Sequence, residues 1–258
     1  MDKIEYLSKT EEVSMGDEWF NITHKNHFWM RWRFEVFKKI SKTVNLSDLK
    51  ILEIGCGHGV VIEQLEEIDI TNVDGCDLNI NALKLVQNKK GRVLCYNVFD
   101  FEESLLNKYD VILLFDVIEH IEDPVEFLKA CSKYLKKSGG TVYLNVPALS
   151  HLYSEYDKAV GHFRRYTRKK LRADLNSSSF INSKIFYWGM ILYPIAIIRM
   201  LLMKLTSKEQ VIKNGMKPPS KFINKVLLYI LKFDTFIFKI YPFGTSIIAS
   251  AEYYERKK

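Results

Sequence analysis

Residues 51–59, Ile-Leu-Glu-Ile-Gly-Cys-Gly-His-Gly, set an apolar run, one carboxylate and three glycines side by side. Glycine at Gly55, Gly57 and Gly59 lets the backbone approach a ligand closely and take positive φ in a turn from strand to helix. A dinucleotide fingerprint reads G-x-G-x-x-G and holds a pyrophosphate at a helix N-terminus. Counted from Gly55, the last glycine of that pattern falls on Val60, so the spacing departs from it. Glu53 stands two positions ahead of the first glycine, where its charge would repel a pyrophosphate and suit a ligand carrying an ammonium group. About 20 residues further on, Asn72–Asp77 reads as a short strand whose terminal carboxylate, Asp77, can accept both hydroxyls of a ribose, with Leu78 beside it. The plainer role for Asp77 and Asn79 is to cap the following helix, and the two roles are compatible.

A second cluster suits acid–base work. Residues 151–167 contain His151, Tyr153, Tyr156, Asp157, His162, Arg164, Arg165 and Tyr166. Histidine titrates near neutral pH and can remove a proton from an acceptor, which makes His162 a candidate general base. Adjacent arginines clamp phosphate or carboxylate through paired donors, so Arg164 and Arg165, with Tyr156 and Tyr166, are candidate acceptor contacts. The plain alternative is a solvated loop entering a basic helix from Arg168 to Asn176, capped by Thr167. Residues 19–33 repeat the mixture, with Trp19, Phe20, His24, His27, Phe28, Trp29, Arg31, Trp32 and Arg33. Here a helix from about 26 to 40 either presents His27 and Arg31 to a site or merely packs Phe28, Trp32, Phe34 and Phe37. The sequence does not choose between His27 and His162 as base.

Alternating elements must position these groups. The pattern gives strands at 50–54, 72–77, 92–96, 109–115 and 141–146, with helices at 58–67, 79–88 and 123–137. The run ending at Asp116 is nearly all apolar, as expected of a parallel strand covered on both faces. Such alternation predicts an α/β fold with a doubly wound parallel sheet and the ligand at the carboxyl ends of the strands. Asp123-Pro124 starts a helix and Ser138-Gly139-Gly140 stops it.

The E-x-G-x-G-x-G loop, Asp77, and Asp116-Val-Ile-Glu119-His120-Ile-Glu-Asp123-Pro124 together resemble the class I S-adenosylmethionine-dependent methyltransferases. The last segment is similar to the D-V-x-E-H-x-x-D-P of their small-molecule branch, which includes quinone and sugar methyltransferases. The resemblance covers roughly residues 25–190. It implies a seven-stranded, mostly parallel Rossmann-like sheet and S-adenosylmethionine as cofactor. It places Glu53, Gly55, Gly57, Gly59, Asp77, Leu78 and Asp116 beside that cofactor, with Asn97 or Asp100 at the adenine. Residues 1–45 become an N-terminal helical lid over a methyltransferase domain spanning 46–258. The G-H-x-R-R-Y stretch and the N-terminal segment also resemble methyltransferases that accompany glycan biosynthesis. That likeness implies O-methylation of an anionic saccharide or lipid-linked glycan, with a quinone or polyprenyl-ring O-methyltransferase as the nearest alternative. An RNA methyltransferase and a non-catalytic binding protein rank lower.

The chain has 258 residues, is 47% hydrophobic and carries a formal net charge of +7, enough for one α/β core and an appendage. Cys56, Cys76, Cys95 and Cys131 lack zinc-like spacing, so buried thiols and no metal are expected. The opening residues are charged without an apolar core, which suggests no signal peptide and a cytoplasmic place. No RNA-binding module is recognisable, and no nucleic-acid partner is expected. Strand patterns at 181–187 and 245–253 are separated by a helical insertion at about 190–241. Its longest uncharged run, Ile185 to Ile198, is 14 residues, short of the roughly 20 needed to span a bilayer. Lysines 221, 225, 232 and 239 among apolar residues suit a helix lying on the inner membrane face. Packing of the insertion on the enzyme itself or in a homodimer is the alternative.

Overall fold

A computed structural model describes residues 4–10, 24–87, 90–203 and 220–255. Trp19, Phe20 and the Pro218-Pro219 hinge lie outside the described residues, as do the last positions of the first inserted helix pattern. The architecture is α/β. Eight strands form one sheet: β1 (Ile4–Tyr6), β2 (Ile51–Ile54), β3 (Val73–Asp77), β4 (Val93–Cys95), β5 (Val111–Phe115), β6 (Gly140–Pro147), β7 (Phe180–Trp188) and β8 (Ser246–Tyr253). Their order is β1-β4-β3-β2-β5-β6-β8-β7. Pairs from β1 to β6 are parallel, and β8 runs antiparallel to both β6 and β7. The count exceeds the expected seven because β1 adds an edge strand beside β4, inside the segment expected to be a helical lid. Arg92 fixes it, donating to both carboxylate oxygens of Glu5 at 2.6 and 3.0 Å.

Ile51–Ile54 and Val111–Phe115 are wholly buried, apolar but for Glu53, because helices cover both faces. The order of strands reverses between β2 and β5, which sets the crevice for a ligand at their carboxyl ends.

Helix α1 (Phe28–Ser41) buries Met30, Arg33, Phe34 and Phe37 along one stripe and ends in Lys38 and Lys39 near its negative pole. Helix α2 (Val60–Glu66) leaves the glycine loop, and α3 (Ile80–Leu83) follows β3. The expected helix at 79–88 is a single turn. Leu85 and Val86 close tighter bonds to Ala82 and Leu83, and Val86 is pressed against Gly59, where any Cβ would lie 2.9 Å from its Cγ1. Helix α4 (Pro124–Ser132) is capped by the Asp123 carboxylate and is shorter than predicted. Helix α5 (Glu155–Ala159) lies in the stretch read as a loop, where Ser154 and Asp157 form a reciprocal capping box. Helix α6 (Arg168–Ser177) is capped by Thr167 as expected. The insertion between β7 and β8 carries α7 (Tyr193–Met203) and α8 (Lys221–Ile237). Its ends meet, since Thr245 Oγ1 donates to the Gly189 carbonyl at 3.2 Å. All four cysteines are free and buried. Among the described residues, no helix is long and apolar enough to cross a membrane.

Candidate active site

A cleft opens where β2, β3 and β5 end, lined by Glu53, Gly55, Gly57, Asp77, Asn79 and Asp116, with Met30 and Arg33 leaning in from α1. Gly55 and Gly59 adopt φ of 72° and 81°, a region that only glycine occupies without strain. Glu53 is 3% exposed. Burial pushes its carboxyl up to about 8, against the pull of Arg33 and with a further push from Asp77. Its Oε2 is buried without a hydrogen-bond partner among the described residues, a state that a ligand cation beside it would relieve.

Asp77 accepts from the Gly57 N–H through Oδ2 and from the Asn79 N–H through Oδ1, both at 2.8 Å. Burial raises its pKa, and those N–H groups oppose the rise. The carboxylate thus braces the glycine loop, and Asn79 itself caps α3. Leu78, Asn97 and Asp100 do not line the cleft. The Asn97 side chain closes its own turn by accepting from the Phe99 N–H at 3.0 Å, and Asp100 accepts from Ser8.

At the end of β5, Asp116 takes φ of 59°. That backbone turn aims its carboxylate across the cleft, where Oδ2 accepts from Arg33 Nη1 and Oδ1 from Asn145 Nδ2, each at 2.6 Å. Asn145 Oδ1 in turn accepts from Trp188 Nε1 at 3.0 Å, and Trp188 stacks on Trp29 at 4.7 Å. One polar chain therefore ties α1, β5, β6 and β7 together.

Beyond Asp116 lies a second group. His162 Nδ1 meets Asp157 Oδ1 at 2.8 Å, and Arg165 Nε donates to the same oxygen at 2.8 Å. Asp157 is fully buried. Burial works against its charge, but the bonds from His162 and Arg165 outweigh it and hold the carboxyl down to about 2. A permanent carboxylate at Nδ1 fixes the ring and leaves Nε2 for chemistry. The His120 ring crosses that of His162 at 4.6 Å, and burial, then the neighbouring His162, lower its pKa to about 4. Glu119 is fully buried, with neither carboxylate oxygen partnered among the described residues, and burial, then Asp116, push its pKa well up. Glu119, His120 and His162 offer ligand atoms within 4.8 Å of one another, a donor set compatible with a divalent cation where the sequence had suggested none.

Several expected site residues stand elsewhere. His27 is buried, caps α1 by accepting from the Trp29 N–H at 3.3 Å, and does not line the cleft. Burial, then His24, lower its pKa to about 4. Arg31 points to solvent while Arg33, on the stripe with Met30 and Phe37, faces the cleft. The arginine pair is committed within the chain: Arg164 Nη2 donates to the Glu122 carbonyl at 2.8 Å, and Arg165 also reaches the Ala148 carbonyl at 3.3 Å. Tyr166 is fully buried, bridging by its backbone to Pro147 and Leu149. Tyr156 is buried beneath the Arg199 guanidinium at 4.5 Å. Burial pushes its hydroxyl up to about 12, against the pull of Arg199.

Arg33, Glu119, His120 and Asp157 stood in the quoted segments without a role of their own, and Asn145 and Arg199 were not singled out, yet all six gather about the candidate site. Helical spacing could have found Arg33. Arg199 and Asn145 reach the site only through tertiary packing.

A sequence model described as a methyltransferase domain matches residues 22–184. The ubiquinone biosynthesis O-methyltransferase of Bradyrhizobium diazoefficiens is 34% identical over 107 residues, which is 40% of this chain and 42% of that protein. Its counterpart in Pseudomonas aeruginosa strain UCBPP-PA14 is 29% identical over 111 residues, 41% and 47% of the two chains. The match spans under half the length of these curated relatives. An S-adenosylmethionine-dependent methyltransferase from Archaeoglobus fulgidus shares the fold at a TM-score of 0.56, with 19% identity over 92% of this chain and all of that one. Haemonchus contortus phosphoethanolamine N-methyltransferase 2, crystallised with S-adenosylmethionine, does so at 0.54, with 18% identity over 86% of this chain and 52% of that one. Matched along most of its sheet by that domain, and bearing the glycine loop and acids at the crevice of that fold, the chain belongs to the class I S-adenosylmethionine-dependent methyltransferase family.

Proposed function

We propose that this chain transfers the methyl group of S-adenosylmethionine to an oxygen of a small acceptor, and that a hydroxylated ring of quinone type is the best-supported acceptor. The observation that carries the reading is Glu53: a buried carboxylate with an unpartnered oxygen, at the head of a glycine loop, awaiting a cation. When bound, S-adenosylmethionine supplies a methyl group on a positively charged sulfur. Glu53 would hold the ammonium of that molecule, and Asp77 would exchange its loop contacts for ribose hydroxyls. His162, steadied by Asp157, would take the proton from the acceptor hydroxyl as the new C–O bond forms and the old C–S bond breaks toward sulfur. Arg33 would keep α1 closed on Asp116, so that water is excluded around the two reactants.

The quinone-type acceptor is supported by the names of the curated relatives and by the internal commitment of Arg164 and Arg165, which leaves them poorly placed to clamp an anion. An anionic saccharide or lipid-linked glycan is the second reading, favoured by Arg199, whose Nη2 is buried above Tyr156 without a partner among the described residues. The deciding experiment offers labelled S-adenosylmethionine with hydroxylated quinone analogues and, separately, with phosphorylated and carboxylated saccharides. Label entering the ring hydroxyl supports the first reading. Label in the saccharides alone replaces it with the second, and label in neither removes both.

A further inference from the structure

Helix α8 has a buried face and an opposite apolar face, and among the described residues only the buried one has a partner. Its inner face carries Leu231, Asp234 and Thr235, continued by Phe238 in the turn that follows, all buried, and the helix packs on α1. Its outer face carries Phe222, Val226, Tyr229, Phe233 and Phe236, continued by Ile240, at alternating steps of four and three residues, which align on one side of a helix. All six are exposed, Phe222, Phe236 and Ile240 by 77%, 78% and 81%. On α7, Ile195, Ile198, Leu201 and Leu202 are exposed as well. Water-soluble surfaces scatter single apolar residues, whereas a contiguous stripe of this kind marks a contact surface.

Charge selects the occupant. Lys225, Lys232 and Lys239, seven residues apart, form an exposed row along one flank of the stripe. The Lys232 ammonium lies 5.7 Å from the Tyr229 ring centre. Among the described residues of α7, α8 and the turn to Phe243, the single acid is Asp234, which is buried and accepts from the Gly189 N–H. A second copy of the helix laid on this face would bring the same lysines and, among the described residues, no exposed acid to pair with them. An anionic lipid surface supplies both apolar depth for the aromatic stripe and negative charge for the lysines.

We infer that the outer face of α7 and α8 docks the enzyme flat on an anionic membrane surface, independently of which acceptor is methylated. Docking would reach the active site through one short link: the Asn224 side chain on α8 accepts from the Phe28 N–H at 3.1 Å, so the docked helix holds the first turn of α1. That is the helix whose Arg33 closes on Asp116.

Flotation of the full chain with vesicles of phosphatidylcholine alone and of phosphatidylcholine mixed with phosphatidylglycerol tests the inference. The protein is expected to rise with the anionic vesicles only, and less so in high salt. Lys232→Glu with Lys239→Glu should lower binding at least about 20-fold, since each lysine near such a surface contributes roughly five-fold. Phe233→Ser with Phe236→Ser should abolish it. Thermal unfolding and calorimetric S-adenosylmethionine binding, which need no acceptor, should stay as in the unaltered protein and so keep this result apart from that on methyl transfer. The inference is overturned if the unaltered protein stays at the bottom of the gradient, or if the folded lysine variant floats equally well. It is also overturned if the unaltered protein elutes as a dimer that the phenylalanine variant splits, without flotation of either.

Discussion

Arg33 Nη1 and Asp116 Oδ2 meet at 2.6 Å across the mouth of the cofactor cleft, joining the N-terminal helix to the end of the central strand. The arginine is 8% exposed and the aspartate 32%, so the pair is only partly screened. Replacing Arg33 by Met leaves Asp116 with Asn145 alone. The expected outcome is a loss of about 1–3 kcal/mol in urea unfolding, together with weaker S-adenosylmethionine binding, and unchanged values for both would show that the contact is idle.

Glu53 gives a proton-linked signature. With its carboxyl at about 8, it is protonated at neutral pH in the ligand-free protein. A cation placed beside it favours the carboxylate, so binding of S-adenosylmethionine should release a proton and tighten as pH rises toward about 8. Calorimetry at pH 7 in buffers of different ionisation enthalpy reads that proton directly. Glu53→Gln should bind more weakly and release none.

His120 and His27 are both lowered to about 4, chiefly by burial, from an ordinary value near 6.5. The unfolded chain therefore binds more protons than the native one across this interval. Stability should be complete above about pH 6.5 and decline as pH falls toward 4, by on the order of 1–3 kcal/mol for each ring. His120→Asn should flatten part of that decline in pH-dependent denaturation. A profile as steep as the parent's would remove His120 from the account.

For Gly59 the constraint is steric. At φ 81°, an added Cβ lies 2.9 Å from Val86 Cγ1, and a left-handed alanine adds backbone strain of about 1–3 kcal/mol. Gly59→Ala should lower the melting temperature, and Gly59→Ala with Val86→Ala should recover only the steric share.

Asp157 tests the acid–base reading without removing the histidine. Asp157→Asn keeps the shape beside His162 but lets the ring take the wrong tautomer. Turnover should fall by about 10²–10⁴ while S-adenosylmethionine affinity holds. An equal fall in both would make Asp157 a purely structural group.

Much of this was legible in the sequence, for reasons that are local. The glycine loop, Asp77 and the apolar strand ending at Asp116 announce themselves because a turn, a strand tip and a buried strand each restrict residue type over a few positions. Thr167 and Asp123 were readable as caps for the same reason. What stayed hidden depends on distant partners. Strand β1 is three residues long and is held by pairing to β4, with no pattern of its own. His27 carries the same side chain whether it caps a helix or takes a proton, and only burial beneath the N-terminal turn decides. Arg164 and Arg165 read as a free pair until the Glu122 carbonyl and Asp157 are seen to occupy them. Arg31 and Arg33 differ by two positions, which on a helix separates solvent from cleft.

Gly189 and Thr245 touch where the insertion leaves and rejoins the sheet, so the α7–α8 excursion starts and ends at one place, while α8 stays packed on α1 and Arg199 of α7 lies over Tyr156. A change of length between those two ends need not shift the register of β7 on β8, provided the contacts of α8 with α1 and of Arg199 with Tyr156 are kept. The exposed outer face of α7 and α8 is thus the part of the excursion whose side chains can change while its inner face and the cofactor cleft keep their contacts.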